Sequence, residues 1–299
     1  MKVTLRTGTK MTAEEYRLKI EAALEQCFRV PENLPQAGLA EAMRYSLLAG
    51  GKRIRPMLVL EFCRIAGGDM EKAMPVACAV EMLHTYSLIH DDLPCMDNDE
   101  LRRGKPTNHV VYGECTATLA GDTLQAEAFG TILRSDLPAE RRAACAGILA
   151  DAVGLNGMCC GQYLDMLWEG RDLTEQELTD INSGKTGALL AAACRMGVAA
   201  AGGNQRMLDA AGQFGTSIGM AFQIRDDMLD VLSTEEKLGK PIGSDEQEHK
   251  NTYMVLLGEK GCEETVRRLT QSAKDSLKEG FEDTAFLEQL ADKLSVRDR

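Results

Sequence analysis

Two acidic clusters constrain this chain more than any other feature. The first is Asp91-Asp92-Leu93-Pro94-Cys95-Met96-Asp97, and the second is Asp226-Asp227-Met228-Leu229-Asp230. Each follows an apolar segment with helical spacing, and each has basic residues downstream. Crowded carboxylates repel one another unless a cation lies between them, and hard oxygen donors suit Mg²⁺ above all. The alternative is that each carboxylate finds a Lys or Arg partner elsewhere in the fold. Facing each other across a helix bundle, the two clusters could hold a polyphosphate through metal ions.

In the second cluster Asp226 and Asp230 are four positions apart, and Asp227 and Asp230 are three apart. On a helix these spacings put Cβ atoms roughly 5–6 Å from one another on one face, where unpaired like charges are destabilising. Phe222, Ile224, Met228 and Leu229 around them are apolar, so this is not a solvated polar face. Gln223 lies one turn before Asp226 and Asp227. The first cluster is less regular, because Pro94 forbids a continuing helix. Its expected geometry is two carboxylates at a helix end and a third, Asp97, returned by a turn. Asp97-Asn98-Asp99 is not a calcium loop, for no Gly follows at the sixth loop position and no Glu at the twelfth.

The remaining pattern is helical. Thr12-Ala13-Glu14-Glu15 has the form of a capping start, with Leu18, Ala22, Ala23 and Cys27 following at helical spacing. Further helices are predicted over 39–48, 56–65, 74–90, 114–134, 140–155, 158–167, 175–196 and 204–232. Two or three amphipathic helices are predicted over 252–294. Gly50-Gly51 and Gly67-Gly68 act as stops. No segment shows convincing strand alternation, and no repeat or low-complexity linker is found. The composition agrees, with abundant Ala, Leu, Met and Glu and only 5% aromatics. One all-α domain over residues 1–299 is expected.

The net charge of −12 argues against nucleic acid or an anionic membrane as the main partner. No stretch reads as the ~20 apolar residues that span a bilayer, so no stable membrane insertion is expected. Residues Met1 to Lys10 carry no apolar core of a secretory signal. The ten scattered cysteines form no CxxC pair and lie near no His at zinc spacing. Reduced thiols in a cytoplasmic protein are the expectation.

Against this acidic background the basic groups stand out. Gly50-Gly51-Lys52-Arg53-Ile54-Arg55-Pro56 places three cations at a Gly-rich turn leading into a helix, a setting suited to anions. Arg102-Arg103-Gly104-Lys105-Pro106 follows the first acidic cluster, and Arg offers planar bidentate hydrogen bonds to phosphate. His84 lies two helical turns before Asp91; a lone His on an apolar helix is more often structural. Lys185-Thr186 follows Asn182-Ser183-Gly184, and Lys240 lies beyond the second cluster. Together they describe metal-bridged acids with cations enough for more than one phosphate group.

These motifs resemble those of the short-chain trans-isoprenyl diphosphate synthases, most of all the bacterial farnesyl diphosphate synthases. The matching stretches are residues 50–56, 84–94 and 97–108, Ala120-Gly121-Asp122, Lys185-Thr186-Gly187-Ala188, and 222–230. Gly239-Lys240 and Asn251-Thr252-Tyr253 fit as well. The resemblance implies a bundle of ten or more helices around a deep central cavity, acting as a homodimer. It implies Mg²⁺, three ions, bridging the acidic motifs and an allylic diphosphate. Asp91, Asp97 and Asp226 would be the main ligands, with Asp92, Asp227 and Asp230 nearby or bound through water. Arg102, Lys185 and Lys240 would clamp the allylic diphosphate. Lys52, Arg55, His84 and Arg103 would hold isopentenyl diphosphate, and Lys185 carbonyl, Thr186 and Gln223 would face the allylic cation. Glu100 departs from the family's usual Asp, outside the three motif carboxylates.

Product length is implied by the same resemblance. An aromatic at Tyr86, five residues before Asp91, with the Leu93-Pro94 insertion, suggests a stop at fifteen carbons. Helix geometry alone puts Ser87, not Tyr86, one turn from Asp91. A geranylgeranyl diphosphate synthase is the nearest rival, with the same site and a deeper cavity. A terpene cyclase would have little use for Lys52, Arg55, His84 and Arg103. Intact acidic motifs and basic groups speak against a silent subunit of a heteromeric prenyltransferase. A non-enzymatic acidic scaffold leaves the apolar setting of the carboxylates unexplained.

Overall fold

The computed structural model describes residues 10–232 and 251–296. Helix α1, Ala13–Leu24, starts where Thr12 and Glu15 close a reciprocal capping box. Helix α2 spans Ala37–Leu47 and α3 spans Ile54–Ile65. Helix α4, Met70–Asp91, is capped by Asp69 and begins a turn earlier than its apolar spacing predicts, with Pro75 inside it. A hairpin of two-residue strands follows: β1, Leu101–Arg102, pairs antiparallel with β2, Lys105–Pro106. Strands this short show no alternation, which is why the pattern does not reveal them.

Helices α5, Asn108–Tyr112, α6, Glu114–Leu133, α7, Ala139–Val153, and α8, Met158–Leu167, come next. The predicted helix over 175–196 is instead three pieces. Helix α9, Glu175–Asn182, leads into a single π-helical turn, Ser183–Gly187, and then α10, Ala188–Ala201. Helix α11, Gln205–Leu232, carries the second acidic cluster. The tail is α12, Tyr253–Gly280, interrupted at Gly258 where φ is +64°, and α13, Ala285–Ser295.

Helices α4 and α10 are apolar around most of their circumference, so they lie inside the bundle rather than on it. Helix α4 packs on α3, α6 and α10; α10 also packs on α7 and α11. Gly197 lets α10 approach α3 closely, for a Cβ there would fall 2.8 Å from that of Phe62. Phe62 in turn meets Phe214 and Phe281 edge-on, each at a centroid distance of 5.5 Å. A second apolar cluster joins Ala221, Ile224 and Met228 of α11 to Tyr253 and Val266 of α12 and to Leu178 of α9. That cluster fixes the acidic end of α11 against its neighbours.

One expectation needs correction. The segment Ala139–Leu167 has a mean hydropathy of 1.5 over 18 residues, enough by length and composition for a membrane span. In the fold it is two helices, α7 and α8, separated around Gly154 and Gly157, and 33% of the window is buried in the protein. All ten cysteines are free thiols.

Candidate active site

Asp91 ends α4, at the negative pole of that helix, where a nearby cation is favoured. The chain then turns back: Asp97 N–H donates to Asp91 carbonyl at 2.9 Å, and Asn98 N–H to Leu93 carbonyl at 3.1 Å with Asn98 at φ +54°. Asp97 is thereby returned towards Asp91. Burial pushes the Asp91 carboxyl up to about 6, and the Asp97 and Asp92 charges push the same way, while Lys185 and Arg102 oppose them.

Asp92 is buried and has a different setting. Its Oδ1 accepts from Arg102 Nε at 2.7 Å and lies 2.6 Å from Arg102 Nη2. Arg102 belongs to β1, and the hairpin is pinned at three points. Thr107 Oγ1 donates to Asp99 carbonyl, Tyr45 Oη to Pro106 carbonyl, and Asn108 Nδ2 to Ala42 carbonyl and Ser46 Oγ, all at 2.7–2.8 Å. Behind the Asp92–Arg102 pair lies a cavity of about 30 Å³ lined in part by Thr85, Ile89 and Asn108.

The π-helical turn packs against α8, α9 and α11. Lys185 Nζ donates to Asp165 of α8 at 2.7 Å, and its charge acts on Asp91 across the gap. Thr186 Oγ1 donates to Gln223 Oε1 at 3.2 Å, and Gln223 Nε2 to Asp227 Oδ1 at 3.1 Å. Asp227 Oδ2 accepts the Tyr253 N–H at 2.8 Å. A chain of hydrogen bonds thus orients the Gln223 amide and ties α11 to the start of α12. Asp227 and Asp230 are buried, while Asp226 is half-buried.

The basic groups divide. Arg53 turns inward from a left-handed backbone, φ +51°, and pairs with Glu81 at 2.6 Å and Glu21 at 2.8 Å. It is structural, so the Gly-rich turn offers two cations rather than three: exposed Lys52 and half-buried Arg55. Arg55 Nε is buried without a hydrogen-bond partner among the described residues. Arg103, also left-handed at φ +54°, donates to Gly50 carbonyl. Gly51 makes room for it, since a Cβ there would lie 2.8 Å from Arg103 Nη1. His84 is held well below the usual imidazole range by burial first, then by Arg55, Arg103, Arg102 and Arg53. A neutral imidazole among guanidinium groups, with an unpartnered donor on Arg55, is a site arranged for an anion.

Sequence reasoning missed Asp165, the partner of Lys185; a single Asp on α8 carries no local signal. It also missed the Asp92–Arg102 pair. Lys240 lies outside the described residues. Tyr86 is buried on α4, and Ser87 Oγ donates to His84 carbonyl at 2.9 Å.

The donor set suits Mg²⁺ in kind, being carboxylates of two acidic motifs. As they stand, no group of three acidic, His or Cys side chains converges on one point among the described residues. A bound ion would therefore complete its coordination with oxygens from outside the protein, as Mg²⁺ commonly does with phosphates.

The first acidic motif thus lies within electrostatic reach of Lys185 on the π-helical turn, and that turn is hydrogen-bonded through Thr186 to Gln223 on the helix that carries the second motif. The chain belongs to the polyprenyl synthetase family, whose model matches residues 36–293. It is 45% identical to a farnesyl diphosphate synthase of Geobacillus stearothermophilus, over 95% of this chain and 96% of that one. It is also 45% identical to a chloroplastic geranylgeranyl pyrophosphate synthase of Capsicum annuum, over 97% and 79%. Among solved structures, a geranylgeranyl pyrophosphate synthetase from Pyrococcus horikoshii superposes with a TM-score of 0.86 at 33% identity, over 95% and 98% of the two chains. An FPP/GFPP synthase from Zymomonas mobilis gives 0.83 at 34%, over 93% and 95%. The protein is a prenyltransferase that elongates prenyl chains.

Proposed function

We propose that the protein condenses isopentenyl diphosphate with dimethylallyl and then geranyl diphosphate to give farnesyl diphosphate, in an Mg²⁺-dependent reaction. The observation that carries this is the turn that returns Asp97 to Asp91 at the end of α4, with the Lys185 charge acting on the same carboxylate. An allylic diphosphate would sit between these carboxylates and Lys185.

Asp91, Asp97 and Asp226 would hold Mg²⁺, which supplies charge neutralisation as the diphosphate departs. Asp92, Asp227 and Asp230 would lie nearby or bind it through water. Asp92 orients Arg102, and Asp227 orients Gln223. Lys185 and Arg102, with Lys240, hold the allylic diphosphate. Thr186, Gln223 and the Lys185 carbonyl present oxygens to the cation left behind, and the apolar walls of α4 and α10 keep water from it. Lys52, Arg55, His84 and Arg103 hold isopentenyl diphosphate, whose double bond attacks the allylic carbon. The proton lost afterwards passes to the departed diphosphate, so no protein nucleophile is needed.

Incubation with Mg²⁺, isopentenyl diphosphate and dimethylallyl diphosphate, followed by chromatography of the dephosphorylated alcohols, tests this reading. A fifteen-carbon alcohol is expected. A twenty-carbon product would favour geranylgeranyl diphosphate synthesis, a reading supported by the similarity to the Capsicum enzyme. No condensation by folded protein would reject both.

The division of the basic groups gives a sharper expectation. Arg103→Ala removes a charge-assisted donor, so KM for isopentenyl diphosphate rises about tenfold or more. KM for the allylic substrate changes much less, because Arg102 and Lys185 remain. Initial rates with each substrate varied in turn measure the difference. Equal changes in both constants would reject two separate diphosphate sites.

A cytoplasmic homodimer completes the proposal. Leu119 and Leu133 of α6 and Tyr163 and Leu167 of α8 are exposed, at 50–62% of their surface. Light scattering should give about twice 32.6 kDa; a monomer mass would reject the dimer.

A further inference from the structure

Tyr86 is fixed from two sides. On its own helix, α4, its ring stands edge-on to His90, centroids 5.0 Å apart and planes at 79°. His90 is itself fixed, with Nε2 3.0 Å from Thr118 carbonyl on α6 and its ring set against Gly121. On the other side, Tyr86 Oη lies 3.4 Å from Sγ of Cys159 on α8. Burial, and then Cys159 itself, push the Tyr86 phenol up, so it keeps its proton and can donate to sulfur. Helix α8 is a firm support at that point. Two residues on, Gly161 abuts the π-helical turn, and Asp165 is bonded to Lys185.

Cys159 has no part in the diphosphate or metal chemistry proposed above. It touches Tyr86, the aromatic to which the fifteen-carbon stop is assigned. We propose that Cys159 is a positioning residue for product length: its thiol holds the Tyr86 phenol across the path of the growing chain beneath Asp91. The floor is then built by two helices, α4 supplying the ring and α8 supplying its anchor. This rests on the reading of Tyr86 as the floor, and the two are separable.

The anchor matters because a helical Tyr has more than one accessible side-chain rotamer. Hydrogen bonding to Cys159 selects the blocking one. An ordinary hydrogen bond shifts such a balance about fivefold.

The test compares the ratio of twenty- to fifteen-carbon alcohols at matched conversion. Tyr86→Ala should lengthen the product outright, which tests the floor by itself. Cys159→Ala should raise the ratio about fivefold, while Cys159→Ser, which retains a hydrogen-bonding group, should stay near the parent. Tyr86→Phe removes the same bond from the other end and should match Cys159→Ala. Combining those two changes should add nothing further. If Tyr86→Ala lengthens the product but Cys159→Ala and Tyr86→Phe do not change the ratio, the anchor is rejected and the floor stands. If Cys159→Ser behaves as Cys159→Ala, the hydrogen bond is rejected. If Tyr86→Ala leaves a fifteen-carbon product, floor and anchor both fall.

Discussion

Asp91→Asn is expected to lower turnover about a thousandfold while the protein stays folded. The substitution keeps the side chain's volume and removes its charge. Loss of one pre-arranged electrostatic group from such a site costs about 10²–10³ in rate. Asp91 belongs at the upper end because Asp97 is turned back to it and the Lys185 charge acts on it. The same charge is unwelcome in the metal-free protein. It is half-buried, at the negative end of α4, and near Asp97 and Asp92. The Asn variant should therefore melt no lower than the parent when metal is absent. Low activity with unchanged or raised melting is the signature of a functional carboxylate; low activity with reduced melting would mark a structural one. Rates at saturating substrates and Mg²⁺, beside thermal melts in chelator, distinguish the two. A rate within tenfold of the parent would remove Asp91 from the metal site.

How far the site could be read in advance depended on distance along the chain. The Leu93-Pro94 break predicts that Asp97 is returned by a turn, and the Asp97–Asp91 backbone bond is that turn. The regular spacing of Asp226, Asp227 and Asp230 predicts a continuing helix, and α11 runs through all three. Local information sufficed for both. It did not suffice for the roles of neighbouring like residues. Lys52, Arg53 and Arg55 read as one cationic cluster, but the left-handed backbone at Arg53 sends it to Glu21 and Glu81, far away in sequence. Asp91 and Asp92 read as a pair, but Asp92 is claimed by an arginine on a hairpin too short to show a pattern. In each case the partner that decides the role lies on another element.

The π-helical turn at Ser183–Gly187 is the clearest case of tertiary packing overriding local pattern, and it yields the second large expectation. Its apolar spacing passes for ordinary helix. What sets it apart is the glycine it meets on each side. A Cβ on Gly161 would fall 2.7 Å from the carbonyl carbon of Gly184, and one on Gly219 would fall 2.9 Å from Gly187 Cα. Backbone thus packs on backbone, with no flexible side chain to give way. Such single π turns are frequent at functional sites, and this one presents Lys185 and Thr186 towards Asp91 and Gln223. Gly161→Ala must therefore move the turn rather than a side chain. Overpacking of this kind costs about 1–3 kcal/mol of stability. A misplacement of about 1 Å at a positioning group costs about a hundredfold in rate. The expected variant melts a few degrees lower but turns over about a hundredfold more slowly, a loss far larger than its melting predicts. The loss should fall on kcat more than on the KM for isopentenyl diphosphate, whose binding groups lie on α3 and the turn before it, α4 and the hairpin. Gly147→Ala, mid-way along α7 where a Cβ meets nothing within 4 Å, is the control: it should leave turnover unchanged and melt no lower than the parent, since Ala favours helix over Gly. Near-parental turnover from Gly161→Ala would show that the close backbone contact is not what places Lys185 and Thr186.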